Sequence, residues 1–177
     1  MLRLTYKDLG YRRRVPTPIS ETDLARLLPG SWTVAATNFP MWLSGKRVDP
    51  VLRWELLSER PLRFRDTVRF STDGGDARTI VGVDRARNGL FTWRGRGMLK
   101  LFGSHWSVTG VNESQTVLAI QYDRTIATPA GIDIVVRAEA AEPEVRSIVA
   151  ANTRRFGLSP EAFASLYWFG EVGRAFA

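Results

Sequence analysis

The chain has 177 residues, 44% of them hydrophobic and 11% aromatic. That is enough apolar matter for one ordinary globular domain and too much for a disordered chain. It has no cysteine and a single histidine, His105, which excludes a disulfide framework, a thiolate metal site and a thiol nucleophile, and gives a metal ion a poor ligand set. The net charge of +7 is carried almost wholly by arginine. The arginines are dispersed, only Arg12-Arg13-Arg14 run together, and no nucleic-acid motif accompanies them, so the charge reads as a solvated surface and no nucleic-acid partner is expected.

Residues 1–19 are polar, basic and proline-containing, and read as an extended N-terminal arm preceding a domain over 20–177. No apolar run approaches a membrane span, and no hydrophobic core of a secretion signal follows the first basic residues. The expected location is cytoplasmic. "SETDLARLLPG" then reads as a short helical turn, with Ser20 or Thr22 as its cap, Leu24, Leu27 and Leu28 on its apolar side, and Pro29-Gly30 ending it.

From residue 31 the period changes to two. "SWTVAATNF" sets Trp32, Val34 and Ala36 on one side, and "PVLRWELL" sets Leu52, Trp54 and Leu56 against Arg53 and Glu55. "LRFRDTVRF" is the clearest strand. Leu62, Phe64, Val68 and Phe70 share a face, with Arg63, Arg65, Thr67 and Arg69 opposite, and Asp66 interrupts the apolar side. Further strands are expected near 77–84, 90–102, 104–111, 116–124 and 131–138, separated by Asp73-Gly74-Gly75, Asn88-Gly89, Gly103, Asn112-Glu113 and Pro129-Ala130-Gly131. Gly95 and Gly97 mark a bulge or bend. Eight short strands with tight connections make an all-β fold, an antiparallel up-and-down barrel. The period changes again in "EPEVRSIVAANTRRFG", which predicts a helix over 143–156 with Pro143 in its first turn, Gly157 as its stop, and Val145, Ile148, Val149, Asn152 and Phe156 on one face. A one-sided helix after a closed barrel must lie against the outside of it. A last short strand is expected at 165–169.

This order resembles the lipocalin family, most closely its bacterial branch. The resemblance is carried by "DLARLLPGSWTVAA" at 23–36 with Gly30 and Trp32 as a Gly-x-Trp signature, by Arg137 ending "IDIVVR", and by "PEVRSIVAANTRRFGLSPEAFASLYWF" at 143–169. It implies that Trp32 packs at the closed end of the barrel with Arg137 across its ring, a structural pair. It also implies that 39–50, "FPMWLSGKRVDP", forms a loop over the open mouth.

An eight-stranded barrel encloses at most one small ligand, or fills itself with side chains. The mouth loop offers Phe39, Met41, Trp42 and Leu43 beside Lys46 and Arg47, a combination that suits a hydrophobic, anionic ligand such as a fatty acid, or a peripheral contact with an anionic membrane. Whether this cluster gates a cavity or plugs the barrel stays open. The alternating faces nominate Trp54, Phe64, Phe70, Phe91, Trp93, Trp106 and Tyr122 as lining residues, with Asn38, Asp66 and Tyr122 as polar contacts for a head group. No cofactor is expected. His105 is the one candidate for an axial haem ligand or a general acid/base, but it alternates with Trp106, and the indole is the better inward residue. The second functional class is a barrel isomerase or cyclase acting through Asp66 and Tyr122, with His105 as a further candidate.

Overall fold

The structure is a computed structural model and describes residues 19–95, 103–125, 129–140, 142 and 144–170. The predicted arm up to residue 18, Gly97 and Pro143 lie outside the described residues. The alternating segments pair with their sequence neighbours in turn: β1 (Gly30–Thr37), β2 (Arg47–Glu59), β3 (Leu62–Thr72), β4 (Ala77–Arg87), β5 (Leu90–Gly95), β6 (Gly103–Val111), β7 (Val117–Asp123) and β8 (Gly131–Arg137). Every pairing is antiparallel, and β1 bonds to both β2 and β8, so the sheet closes into an eight-stranded up-and-down barrel. A two-residue strand, β9 (Tyr167–Trp168), adds to the outside of β1 at Ala36 and Thr37.

One end of the barrel is sealed by α1 (Glu21–Leu27). Ser20 caps it, its hydroxyl accepting the Asp23 amide at 3.1 Å. Leu24, Leu27 and Leu28 drop into the barrel floor. Trp32 is fully buried there and donates from its indole nitrogen to the Leu28 carbonyl at 2.9 Å. The Arg137 guanidinium lies 4.3 Å from the Trp32 ring centre and donates to the carbonyls of Pro29 at 3.1 Å and Leu27 at 2.8 Å. The arginine thus combines a cation–π contact with satisfying the end of α1. Gly30, with φ of 120°, leaves room for it: a Cβ there would sit 2.8 Å from the guanidinium.

A second apolar cluster lies outside the barrel, where α3 (Val145–Ala151), Phe156, Leu158 and Leu166 cover Ala35, Ala36, Ile134 and Val136. A bulge between Val34 and Ala36 turns Ala36 to this outer face, away from Trp32 and Val34, correcting the simple alternation. Gly110 allows the chain to pass close, since a Cβ there would collide with the backbone of Arg155 and Phe156. The helix expected over 143–156 is shorter. It ends at Ala151, where Asn152 leaves helical geometry and turns its amide back to the Ile148 carbonyl at 3.3 Å. A separate helix, α4 (Pro160–Ala164), follows with Ser159 as its cap, so the strand expected at 165–169 shrinks to β9. At the mouth, Pro40–Leu43 form one helical turn, α2, and β2 starts at Arg47, inside the segment expected to be loop. Leu56 is exposed near the end of β2, although it shares a face with Trp54 in the alternation.

Candidate functional site

The barrel interior is built in rungs. Trp54, Asp66, Gly82 and Gly95 align across β2, β3, β4 and β5, and the next rung sets Phe64 beside Asp84 and Trp93. Phe91, Trp106 and Tyr122 align across β5, β6 and β7. The rings pack on one another: Phe91 on Trp106 at 4.2 Å, Trp106 on Trp54 at 5.4 Å, and Phe64 on Phe91 at 5.9 Å. Trp93 is only partly buried, and its indole lies over the α-carbon of Gly82, where any side chain would collide with it.

Among the described residues, the buried polar or charged side chains are Thr37, Asp66, Asp84 and Asp133; none is a cation. Asp84 Oδ1 accepts from the Trp106 indole at 2.8 Å. Asp84 Oδ2, Asp66 Oδ1 and the Trp54 indole nitrogen make no hydrogen bond within the protein. The Trp54 N–H faces Asp84 closely enough to favour its ionised form without closing a bond. Burial dominates both acids. It pushes Asp84 up to about 7 against the pull of the two indoles. It raises Asp66 well above the carboxylate range, and the neighbouring Asp84 charge raises it further. Tyr122 is held well above the ordinary phenol value by burial and then by Asp133, Asp66 and Asp84, so its hydroxyl stays protonated.

The third acid belongs to the mouth. Asp133 Oδ1 accepts from the Thr37 hydroxyl at 2.5 Å, and Oδ2 accepts from the Trp42 indole at 3.1 Å. Burial raises this carboxyl to about 6, opposed by the bonds from Thr37 and Trp42 and by the neighbouring Tyr122 hydroxyl. The Thr37 hydroxyl in turn accepts the Phe39 amide at 2.8 Å. Phe39 stacks on Tyr122 at 4.8 Å and rests on Gly131, where a Cβ would come within 2.6 Å of its ring. Trp42 meets the edge of Phe70 at 6.3 Å, and Arg47 lies over the outer side of that contact, 5.3 Å from the Phe70 ring. Phe39 and Trp42 are both buried, Met41 is half-buried and Leu43 is exposed. Phe39 and Trp42 are thus packed inward at the mouth, with Trp42 pinned to a carboxyl.

The structure therefore brings together Phe39, Trp42, Trp54, Phe64, Asp66, Phe70, Phe91, Trp93, Trp106 and Tyr122, with Met41 packed against them. It sets Asn38 apart. That amide accepts from the Ile132 backbone at 2.6 Å and donates to Ser165 at 2.8 Å, bracing β8 and α4. His105 is exposed between Thr92 and Asp123 on the outer face, away from Asp66 and Tyr122 and from any haem the interior would hold. Asp84 and Asp133 escaped the sequence reading. The apolar residues that mark β4, Val81 and Val83, point outward, and the inward positions are Gly82 and Asp84, an inversion of the usual amphipathic strand. Among the described residues no group of three or more histidine, cysteine or acidic side chains is placed to hold a metal ion.

No family model matches the sequence, and no curated protein matches it. Solved structures do match the fold. The bovine lipocalin allergen Bos d 2 superposes with a TM-score of 0.54 at 12% identity, covering 81% of this chain and 93% of that one. The siderocalin Ex-FABP, described as functioning through dual ligand specificities, gives 0.55 at 13% identity over 82% and 95%. Lobster apocrustacyanin A1 gives 0.56 at 10% identity over 88% of each chain. The fold is lipocalin-like, and at these identities the likeness concerns the fold.

Proposed function

We propose that this barrel binds and carries a small, largely hydrophobic ligand in its interior. The observation that carries the reading is the set of buried polar atoms without protein partners, Asp66 Oδ1, Asp84 Oδ2 and Trp54 Nε1, inside an aromatic lining. A core built only for stability satisfies such atoms or omits them, because each costs about 1–3 kcal/mol when unpaired. The fold neighbours add support, one of them being described by its ligand specificities. The anionic or fatty-acid form of the reading rests on Lys46 and Arg47 at the mouth, with the carboxylate outside and the tail within. Membrane contact through 39–50 would rest on exposed Leu43 and Val48 beside Lys46, since Trp42 is turned inward.

Native mass spectrometry of gently purified protein tests the reading. A discrete mass above that of the bare chain, released on denaturation, supports it. A bare chain that also takes up no apolar compound on incubation contradicts it. A second reading, a barrel isomerase or cyclase, is favoured by the raised Asp66 carboxyl and the protonated Tyr122 hydroxyl in one interior. It predicts conversion of the bound compound rather than its recovery unchanged.

A further inference from the structure

We infer that the Asp66–Asp84 pair is the recognition point for an organic ammonium ion, so that the preferred ligand is an apolar amine and not a fatty acid. This rests on the proposal that the barrel holds a hydrophobic ligand, and narrows its class. The two carboxyls sit on adjacent strands, Asp84 two residues past the Gly82 that faces Asp66. Each keeps one oxygen without a hydrogen-bond partner, and both side chains are more than nine-tenths buried. Asp133, by contrast, has both oxygens engaged in holding the mouth. No cationic side chain is buried among the described residues to balance the pair.

The chemistry selects among ligands. An alkylammonium presents three N–H donors on a compact positive charge, enough to bond both free oxygens at once. Its charge offsets the burial that disfavours an ionised carboxyl in the pair. The stacked rings of Trp54, Trp106 and Phe91 supply the apolar surroundings for the tail. A carboxylate would meet two acids and no buried base. An alcohol has one proton to donate and leaves an oxygen unpaired. A calcium ion takes about six to eight oxygen ligands, which two carboxyls do not supply. Binding also has a proton balance. Burial holds both carboxyls toward their protonated forms, so the entering R–NH3+ replaces an acid proton, which leaves to the buffer, and a carboxylate–ammonium pair remains.

The test is a matched series, octylamine, octanol and octanoate, titrated calorimetrically into the whole protein at neutral pH in two buffers of different ionisation enthalpy. The expected order places the amine about tenfold or more ahead of the alcohol, the gain typical of a charge-assisted bond pair, with octanoate weakest. The amine's heat depends on the buffer, reporting proton release, and the alcohol's does not. Asp84→Asn and Asp66→Asn abolish the amine's advantage over octanol. Equal affinities for amine and alcohol, or octanoate ahead of both, overturn the amine inference while the hydrophobic-ligand reading stands. No binding by any of the three overturns both. The series on the unmodified protein decides the question even if a variant fails to fold.

Discussion

Asp84→Asn is the most informative single change, because it separates the cost of a buried charge from the fold that tolerates it. The amide keeps the acceptor that the Trp106 indole uses at 2.8 Å, and its shape matches the carboxyl. Burial moves Asp84 from 3.8 to about 7. Its raised folded value means that the folded state binds this proton more tightly than the unfolded chain does. The stabilisation is therefore complete below about pH 4 and is lost as pH rises through about 7. Three pH units at about 1.4 kcal/mol each set an upper bound of about 4 kcal/mol, reduced to the extent that water reaches the ionised group. The variant removes that loss and also relieves Asp66 of a neighbouring charge. Urea denaturation from about pH 4 to 8 reads it out. Asp84→Asn and the parent should be nearly equal in acid, and the variant more stable by about 2–4 kcal/mol near pH 8, with an unchanged m-value. A variant that is less stable near pH 8, or whose pH profile runs parallel to the parent's, would refute the reasoning. A gain in stability together with a loss of amine binding is the signature of a site that trades one for the other.

Trp32→Ala removes the floor of the barrel and the platform under Arg137, and should cost about 3–5 kcal/mol in chemical denaturation; an unchanged midpoint would contradict its role. Gly110→Ala places a methyl group against the backbone of Arg155 and Phe156, which cannot yield as a side chain would. A loss of about 1–3 kcal/mol is expected, with α3 detaching first in hydrogen exchange. Trp42→Phe removes one of the two bonds to Asp133, for about 1–2 kcal/mol. Because that bond lowers the Asp133 value from where burial would place it, the same variant should titrate Asp133 above about 6 by carboxyl-resolved NMR; an unmoved titration would place the indole elsewhere.

The barrel, the strand order and the Trp32–Arg137 closure were legible because each depends on local alternation or on a residue pair the family resemblance placed. β3 shows why: Leu62, Phe64 and Phe70 are inward and the arginines outward, with Asp66 visible as the odd residue among them. β4 was opaque for the converse reason. Its valines face solvent-side neighbours, and an acid and a glycine face the core, so hydrophobic alternation points the wrong way. Asp133 was hidden in "GIDIVV", where nothing local marks it until Thr37 and Trp42, 96 and 91 positions away, are brought against it. The bulge in β1 and the early end of α3 at Asn152 are single-residue departures from period. The burial of Trp42 follows from a tertiary hydrogen bond, which no local pattern encodes.

The central claim, that a ligand enters the aromatic interior beside Asp66 and Asp84, is tested most directly by the six tryptophan indole N–H resonances in a nitrogen-15 NMR titration with octylamine. Trp54 and Trp106 border the proposed site, Trp93 lies across Gly82 from it, Trp42 closes the mouth, Trp32 lies under the floor and Trp168 sits outside on β9. The account predicts saturable shifts at Trp54, Trp93 and Trp106, with the Trp54 N–H gaining or changing a partner, while Trp32 and Trp168 stay in place. Shifts confined to Trp168, or no saturable shift at any of the three interior indoles, would contradict it.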